Sequence, residues 1–298
     1  MFALDVLRRK IQGAEDMHGI VKTMKTLAMV NIRNYQKAVE SISEYYHTIE
    51  LGFTAVLKQV QIEISRNVTG DSGKTVVVIF GSDQGLCGGF NDRIVEYAMQ
   101  EMYESNISKK QKIVLCVGQR SGMLLALQAH PIEDIFKIPS SLTGITPVVQ
   151  QMLLKLDSLR SEQKIERIIM FHNALTSNVS YSPRTVNLLP LDEEWYLEMK
   201  KRKWKSHILP TFSMDSHKLM SALIRQYVFV SLYRGFIESM ASENAGRLAS
   251  MQAAERNIEE KMIELQTSFR NLRQDSITSE TLDIVSGYEA LLSNQADR

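Results

Sequence analysis

The sequence predicts an α/β fold with a long coiled coil, in which the N- and C-terminal helices pair antiparallel and an α/β domain is inserted between them. All six prolines lie between Pro131 and Pro210. Because proline inside a helix costs about 3 kcal/mol, the long proline-free ends favour long helices. Apolar residues follow helical spacing near both ends, and the middle of the chain alternates between strand-like and helix-like segments.

The N-terminal segment is predicted as one amphipathic helix from about residue 3 to about residue 57. Its apolar positions keep close to a spacing of three and four, and basic side chains lie off that stripe. The apolar positions are Leu4, Leu7, Ile11, Met17, Val21, Met24, Ala28 and Ile32. We expect this stripe to be buried against another element.

The C-terminal helix is predicted to begin after Met214, with Asp215 or Ser216 as its N-cap, and to run to about residue 275. Its apolar residues alternate steps of three and four, which is the pattern of a coiled-coil seam. They are Met251, Ala254, Ile258, Met262, Leu265, Phe269 and Leu272. The seam predicts a partner helix along this whole stretch.

The length of the C-terminal helix decides how it is placed. A helix from 216 to 275 is roughly 90 Å long, whereas a compact chain of this size is only about 50 Å across. The helix must therefore protrude, and the N-terminal helix is the nearest available partner. A helical bundle kinked at Gly235 and Gly246 is the alternative.

The middle of the chain is predicted to form a small α/β domain with a mostly parallel sheet, because strands and helices alternate. Strands are predicted at Thr75–Phe80, Ile113–Val117, Arg167–Phe171 and Arg184–Leu189, and helices at about 91–105, 119–129 and 146–161. Thr146 is predicted to cap the last helix, with Pro147 at its first position. The predicted domains are 1–60 (N-terminal coiled-coil helix), 73–212 (α/β domain) and 214–298 (C-terminal coiled-coil helix).

The composition limits the classes of partner. The formal net charge of +1 provides no overall field that would attract nucleic acid or anionic lipid. Cys87 lies in a glycine-rich turn and Cys116 in a predicted strand, which is typical of reduced, packed thiols in a reducing compartment. No run of about twenty apolar residues is present that would span a membrane.

The stretch SDQGLCGGFN, Ser82–Asn91, follows a predicted strand and precedes a predicted helix, which is the layout of a phosphate-binding loop. A nucleoside-triphosphatase loop needs a lysine and a hydroxyl directly after its last glycine. Phe90 and Asn91 stand there instead, and the glycine spacing does not fit a dinucleotide turn. The stretch is interpreted as a structural turn, and a small-molecule site is the alternative.

Five residues are assigned to shaping this turn: Ser82, Asp83, Gly85, Gly88 and Gly89. The glycines are expected to take positive φ and to let the following helix pack close to the sheet. Asp83 and Asn91 are expected to cap backbone amides.

No catalytic constellation is evident elsewhere. The six histidines show no metal-ligand spacing, and each is expected at the surface or at an interface. The basic cluster Lys200–Lys205 is interpreted as a solvated face, and the methionines of the long helices as packing residues. The sequence therefore predicts no catalytic residues, no metal and no cofactor.

Three motifs resemble the gamma subunit of F-type ATP synthases. SDQGLCGGFN resembles that family's SD-x-GLCGG-x-N signature, and IVKTMKTLA at Ile20–Ala28 resembles its N-terminal helix motif. The C-terminal helix carries LYRGFIESMASENAGRLASMQAAERN, followed by RQDSITSETLDIVSGYEAL at Arg273–Leu291, which are similar to the family's last helix. The resemblance implies the same fold, with a Rossmann-like α/β domain between the paired terminal helices.

The resemblance also implies a function, that of a central rotor shaft. In such complexes the coiled coil stands in the bore of a hexamer of alpha and beta subunits. The globular domain, with an epsilon subunit, sits on a membrane ring of c subunits. Proton or sodium flow turns ring and shaft, and the shaft drives each catalytic beta subunit in turn through its states. The chain would then be a non-catalytic subunit, peripheral to the cytoplasmic face of the bacterial plasma membrane.

The resemblance assigns six residues to contacts with the beta subunits: Met24, Lys25, Arg273, Gln274, Thr278 and Glu280. Two departures, Gln84 in place of the usual basic residue and TLAMVNIRNYQ in place of a run of small residues, suggest a divergent branch such as an alternate bacterial ATPase. The region from about 130 to 215 follows the family pattern poorly. Two other interpretations are an α/β nucleotide-binding enzyme or module with dimerising helices, and a helical scaffold without a motor.

Overall fold

The computed structural model describes residues 2–59, 73–105, 107, 111–128, 130–177, 180–204 and 208–296. The helices in these ranges are α1 (Phe2–Gln59), α2 (Phe90–Glu104), α3 (Gln119–Leu127), α4 (Ile145–Glu162), α5 (Glu193–Lys201) and α6 (Ser216–Ala296). The strands are β1 (Lys74–Phe80), β2 (Lys112–Val117), β3 (Ile132–Phe136), β4 (Ile165–Leu175) and β5 (Tyr181–Leu189).

The chain divides into two compact units. The helical unit contains Met1–Leu27 and Ser250–Arg298, and the sheet unit contains Ala28–Ala249. The predicted domain division at 1–60, 73–212 and 214–298 stays a prediction.

The sheet unit is built on a five-stranded sheet with the order β3-β2-β1-β4-β5. The first four strands are parallel, and β5 runs antiparallel to β4. The mostly parallel sheet is as predicted. The edge strand β3 was not predicted, because the central residues of IEDIF are exposed and carry no run of apolar side chains.

Both faces of the sheet are covered by helices. Alternate residues of β1 point to opposite faces, and all of them from Thr75 to Phe80 are buried. Val77 and Ile79 pack with α2 and α3, whereas Val78 and Phe80 belong to the core formed with α1, α4 and α6. A strand that is apolar on both faces is typical of a parallel sheet between helical layers.

Helices α1 and α6 run antiparallel in each unit. In the helical unit His18 faces Glu259, and Lys25 faces Glu255. In the sheet unit Asn31 faces Asn244, and Tyr45 faces Gln226. The predicted antiparallel pairing is confirmed.

The alternative of a kinked bundle is wrong, because α6 is one helix through Gly235 and Gly246. Both glycines instead allow close approach of other groups. A Cβ at Gly235 would lie 2.6 Å from the Met170 sulfur, and one at Gly246 would lie 2.6 Å from the Cys87 carbonyl oxygen.

On α6 of the helical unit, the predicted coiled-coil seam is confirmed. Every predicted seam residue from Met251 to Leu272 is buried or half-buried. On α1 the prediction of Met17 as a seam residue is wrong, since its side chain is 56% exposed. Ala14 and His18 lie on the seam instead. They stand seven residues after Leu7 and Ile11 and therefore occupy the equivalent heptad positions, whereas Met17 does not.

Helix ends differ from the sequence prediction in part. Asp215 caps α6 as predicted, with Oδ1 accepting hydrogen bonds from the amides of His217 and Lys218. Helix α6 continues to Ala296, well past the predicted end. Thr146 is not a cap, because a short 3-10 turn at Leu142–Gly144 leads directly into α4 at Ile145.

Cys87 and Cys116 are free and buried, as expected for packed thiols. Burial raises the pKa of both thiols, that of Cys116 to about 11. The Lys200–Lys205 cluster is only partly described. Lys200, Lys201 and Lys203 are exposed, whereas Arg202 pairs with Glu50, and Lys205 and His207 lie outside the described residues.

Candidate functional site

The glycine-rich turn is closed by two buried side chains. Asn91 Oδ1 accepts a hydrogen bond from the Ser82 amide at 2.8 Å, and Asn91 Nδ2 donates to Ser82 Oγ, also at 2.8 Å. Ser82 Oγ in turn donates to the Gln84 carbonyl at 2.7 Å. The polar groups of the turn are therefore satisfied by the turn itself and by the first turn of α2.

Asp83 connects the glycine-rich turn to two other segments. Its Oδ1 accepts a hydrogen bond from the amide of Gln119, the first residue of α3, at 2.9 Å. Its Oδ2 accepts from the amide of Ile138, just beyond β3, also at 2.9 Å. A carboxylate is favourable at a helix N-terminus, so Asp83 fixes the turn to the end of α3.

Only part of the predicted set of glycines is required sterically. Gly88 has φ 62°, which favours glycine. A Cβ at Gly85 would meet nothing within 4 Å, and one at Gly89 would meet only a side-chain atom at 3.9 Å. Gly81, which the sequence pattern did not single out, packs so closely on Ser121 of α3 that a methyl group would overlap the serine hydroxyl.

Leu86 also has a positive φ, 62°, and its side chain is 63% exposed. A non-glycine residue in the left-handed region is uncommon and is stabilised only by its surroundings. The turn thus presents a large apolar side chain at the surface.

Helix α6 fills the place where a ligand binds in many sheets of this kind. In doubly wound sheets that place is the crevice at the carboxyl ends of the strands where strand order reverses, here between β1 and β4. Ser242 Oγ on α6 donates to the Asn173 carbonyl at 3.1 Å, and Asn173 Nδ2 donates to the Phe90 carbonyl at 3.3 Å. This packing supports a structural role for the glycine-rich turn.

Arg247 ties α6 to the glycine-rich turn. Its guanidinium donates to the Gly85 carbonyl at 3.4 Å and to Glu243 Oε1 at 2.6 Å. Glu243 is 8% exposed. Burial raises the pKa of the Glu243 carboxyl above its ordinary value, and the nearby Arg247 charge only partly opposes that rise.

A second buried polar contact joins α6 to the sheet. His172 of β4 is 2% exposed, so the expectation that each histidine lies at the surface or an interface is wrong for it. Its Nε2 lies 2.7 Å from Glu238 Oε2, and Arg234 Nε donates to Glu238 Oε1 at 2.6 Å. Burial alone would raise the pKa of Glu238, but His172 and Arg234 outweigh it and lower that pKa to about 2.

The six residues assigned to beta contacts lie in the helical unit, in two separate places. Met24 and Lys25 are half-buried on α1, where the Lys25 ammonium donates to Glu255. Arg273, Gln274, Thr278 and Glu280 are all exposed on α6. Because α6 rises about 1.5 Å per residue, Arg273 lies about 27 Å along the helix from Glu255.

One group in the described part of the chain has metal-ligand geometry. His18, Glu255 and Glu259 offer ligand atoms that all lie within 4.8 Å of one another. However, Lys25 already pairs with Glu255, and His18 Nε2 lies 3.3 Å from Glu259 Oε1. These contacts account for the group as interhelical ion pairs.

The helical unit also exposes a row of apolar side chains off the seam. On α1 these are Met17, Ile20 and Leu27, with exposed fractions of 56%, 60% and 58%. Single exposed apolar residues are ordinary, but a row at helical spacing is typical of a contact surface.

No described helix has an apolar stretch of the length needed to cross a membrane.

Comparisons with known proteins agree on one family. A protein-family model described as ATP synthase matches residues 3–291. The ATP synthase gamma chain of a Nitratiruptor species is 26% identical over 303 residues, which cover 98% of this chain and all of that relative.

Two solved structures share the fold. One is the rotor of the Euglena gracilis mitochondrial ATP synthase, with TM-score 0.63 and 16% identity, covering 92% of this chain and 99% of that one. The other is the central stalk with c-ring of the Tetrahymena thermophila mitochondrial ATP synthase, with TM-score 0.56 and 19% identity, covering 79% and 99%. The family match extends over nearly the whole described chain, and the chain therefore belongs to the ATP synthase family as a gamma chain, the non-catalytic central-stalk subunit of the F-type complex.

Proposed function

We propose that this chain is the rotor shaft that transmits rotation between a membrane ring of c subunits and a hexamer of alpha and beta subunits. The observation that carries the proposal is the asymmetry of the helical unit. His18 faces Glu259, so with a rise of about 1.5 Å per residue in both helices the start of α1 is level with about residue 275 of α6. Beyond that point α6 continues to Ala296, and its side chains at 277–287 are all exposed.

An asymmetric shaft is what the proposed mechanism requires. A rod with three identical faces would act equally on three catalytic sites, whereas a shaft can shift a site between conformations only by interacting differently with those conformations. A single helix beyond the end of a helix pair presents different groups in different directions. The three beta subunits around it would then be held in different states at any one moment.

The same shaft must resist twisting. The seam of the helical unit supplies apolar packing along the helix pair, and ion pairs cross it at Lys25 and Glu255 and at His18 and Glu259. In the sheet unit α6 is held to the sheet by the buried His172–Glu238 pair. These contacts support transmission of torque without slippage of one element past another.

We place the beta contacts of the shaft at Met24, Lys25, Arg273, Gln274, Thr278 and Glu280. The four residues on α6 are exposed, which supports contact with a partner. The Lys25 ammonium pairs with Glu255, so its part in a beta contact would include holding α6 in place. Met24 belongs to the helical stripe of exposed and half-buried apolar residues on α1.

The remaining partners are an epsilon subunit and the c-ring, next to the sheet unit, with the complex peripheral to the cytoplasmic face of the bacterial plasma membrane. One structural neighbour is a central stalk solved with a c-ring, which supports the c-ring as a partner, and the gamma chain of a bacterial relative supports a bacterial membrane. Proton and sodium coupling both fit the proposal.

Coexpression with alpha and beta subunits from the same genome tests this function. The purified complex should hydrolyse ATP, while the isolated chain should not. A bead can be attached through a cysteine introduced at an exposed position of α2, since the native Cys87 and Cys116 are buried. With the hexamer fixed to a surface, the bead should rotate during hydrolysis. Hydrolysis by the isolated pure chain, or a hydrolysing complex in which the bead stays still, would contradict the proposal.

A further inference from the structure

The sheet unit contains a cavity of about 290 Å³ between the ends of several elements. Its wall is mostly apolar and includes Phe53, Leu57, Ile168, Leu189, Trp195 and Ile224, and two charged residues, Arg160 and Glu166, also line it. At about 30 Å³ for each water-sized group, it holds roughly ten non-hydrogen atoms. A second cavity of about 220 Å³ shares Ile168, Leu189 and Ile224 with it, and also Arg160.

Trp195 forms an aromatic part of the cavity wall. Its indole Nε1 is buried and has no hydrogen-bond acceptor among the described residues. The ring is fixed by an edge contact with Phe53, at 5.1 Å between centroids, and by a tilted contact with Tyr227 at 5.6 Å. The indole nitrogen is buried away from the space of the cavity, so Trp195 contributes apolar wall rather than a hydrogen bond to a ligand.

Arg160 gives the same cavity a positive charge. It is exposed on α4 and lines both cavities, and within the described part of the chain its guanidinium has no ion-pair partner. The carboxylates near it are already paired: Asp157 with Arg225 at 3.0 Å, and Glu166 with Lys164 at 3.1 Å. Arg160 therefore carries the uncompensated charge at this site.

We propose that this cavity binds a small amphiphilic anion, with an apolar body of about ten non-hydrogen atoms and one carboxylate. The apolar body fills the cavity, and the carboxylate pairs with Arg160. A neutral apolar molecule would leave Arg160 unpaired, and an inorganic anion would leave the apolar wall uncovered. The site does not depend on the rotor function and can be tested on the isolated chain.

Calorimetry on the full-length chain with three probes tests the ligand class. Decanoate should bind at one site with a Kd of about 1 mM or tighter. Decanol, which has the same chain length without the charge, should bind about tenfold more weakly or less. Acetate, which has the charge without the chain, should show no saturable binding. Absence of saturable decanoate binding, or decanol binding as tight as that of decanoate, overturns the proposal.

Tryptophan fluorescence locates the binding. The chain has two tryptophans, so a Trp204→Phe variant reports from Trp195 alone and its emission should change with decanoate at the calorimetric Kd. Arg160→Gln should weaken decanoate about tenfold and leave decanol unchanged. Its matched control is Arg120→Gln, which removes an exposed guanidinium on α3, on the opposite face of the sheet, and should leave decanoate affinity unchanged.

Two further variants separate the wall from the charge. Ile224→Phe fills the cavity and should weaken decanoate and decanol together, while Trp195→Phe keeps an aromatic wall and should preserve the difference in affinity between decanoate and decanol. Thermal unfolding of each variant shows whether it is folded, and Arg160→Gln changes only an exposed helical side chain. Equal loss of decanoate binding in Arg160→Gln and Arg120→Gln, or unchanged emission of Trp195, overturns the site.

Discussion

His172 Nε2 lies 2.7 Å from Glu238 Oε2, and this buried hydrogen bond joins the centre of the sheet to the longest described helix. Arg234 contacts the other oxygen of the same carboxylate at 2.6 Å. An uncompensated charge in this position would be strongly destabilising. The pair therefore makes the attachment of α6 to the sheet dependent on the protonation of one carboxylate.

The first prediction concerns acid stability. The pKa of Glu238 is lowered from 4.5 to about 2, so the stability it contributes is present above pH 4.5 and is lost as pH falls towards 2. The loss is on the order of 3 kcal/mol in the free energy of unfolding. Urea unfolding of Glu238→Gln at several pH values should show lower stability at pH 7 and a weaker decrease between pH 5 and pH 2 than the wild type.

The control for this prediction is Glu259→Gln in the helical unit, whose side chain is 55% exposed. This variant should keep the wild-type decrease of stability in acid, because an exposed ion pair contributes little. A Glu238→Gln protein with the pH dependence of the wild type would show that the carboxylate is not ionised against His172 and Arg234.

The second prediction concerns the close approach of α6 to the glycine-rich turn. A Cβ at residue 246 would lie 2.6 Å from the Cys87 carbonyl oxygen, which is backbone and cannot rotate away. Gly246→Ala should therefore lower the free energy of unfolding by about 1–3 kcal/mol, as overpacking does elsewhere. Differential scanning calorimetry would measure the shift in Tm.

Gly19→Ala is the matched control, since a Cβ there meets nothing within 4 Å. The change should raise stability by up to about 1 kcal/mol, because alanine is the better helix former. If both substitutions raise the Tm, α6 does not pack on the turn as closely as the structure has it.

The paired helices could be predicted from the sequence, whereas some of their polar contacts could not. Helical periodicity and the absence of proline were enough for the pairing, because both are local properties repeated over many residues. The seam position of His18 was missed since a polar residue there is stabilised by Glu259, which is distant in sequence. The burial of His172 was missed for the same reason, because nothing in the sequence of β4 indicates that Glu238 of α6 is its partner.

In the glycine-rich turn, too, the sequence predicted the segment but not every residue that shapes it. Its motif identified the segment, and Asp83 and Asn91 do accept from backbone amides. Sequence alone could not separate Gly88, which has a positive φ, from Gly85, which has open space around it. Gly81 was overlooked because its requirement comes from Ser121, on a helix that follows the next strand.

The third prediction addresses the exposed residues of α6. Replacing Arg273 and Gln274 together by Ala should change the free energy of unfolding by less than about 0.5 kcal/mol, because both side chains are exposed. The same double variant should lower ATP turnover and its coupling to ion transport in the assembled complex, measured in membrane vesicles. The control replaces the exposed Gln150 and Gln151 of α4 by Ala and should leave turnover unchanged. Wild-type turnover and coupling in the first variant would remove these two residues from the proposed contact surface.

The fourth prediction separates two roles of Lys25. If its role is to hold α6 through Glu255, the charge-swapped double variant Lys25→Glu with Glu255→Lys should recover both the Tm and the turnover that each single variant loses, since the pair is restored with opposite polarity. If Lys25 instead contacts a beta subunit through its charge, the double variant should recover the Tm but not the turnover. Thermal unfolding of the isolated chain and turnover of the assembled complex give the two readouts independently.

Because the Lys25 hydrogen bond lowers the pKa of Glu255, titration of that carboxyl by NMR in the wild type and in Lys25→Met would show directly whether the pair forms in solution.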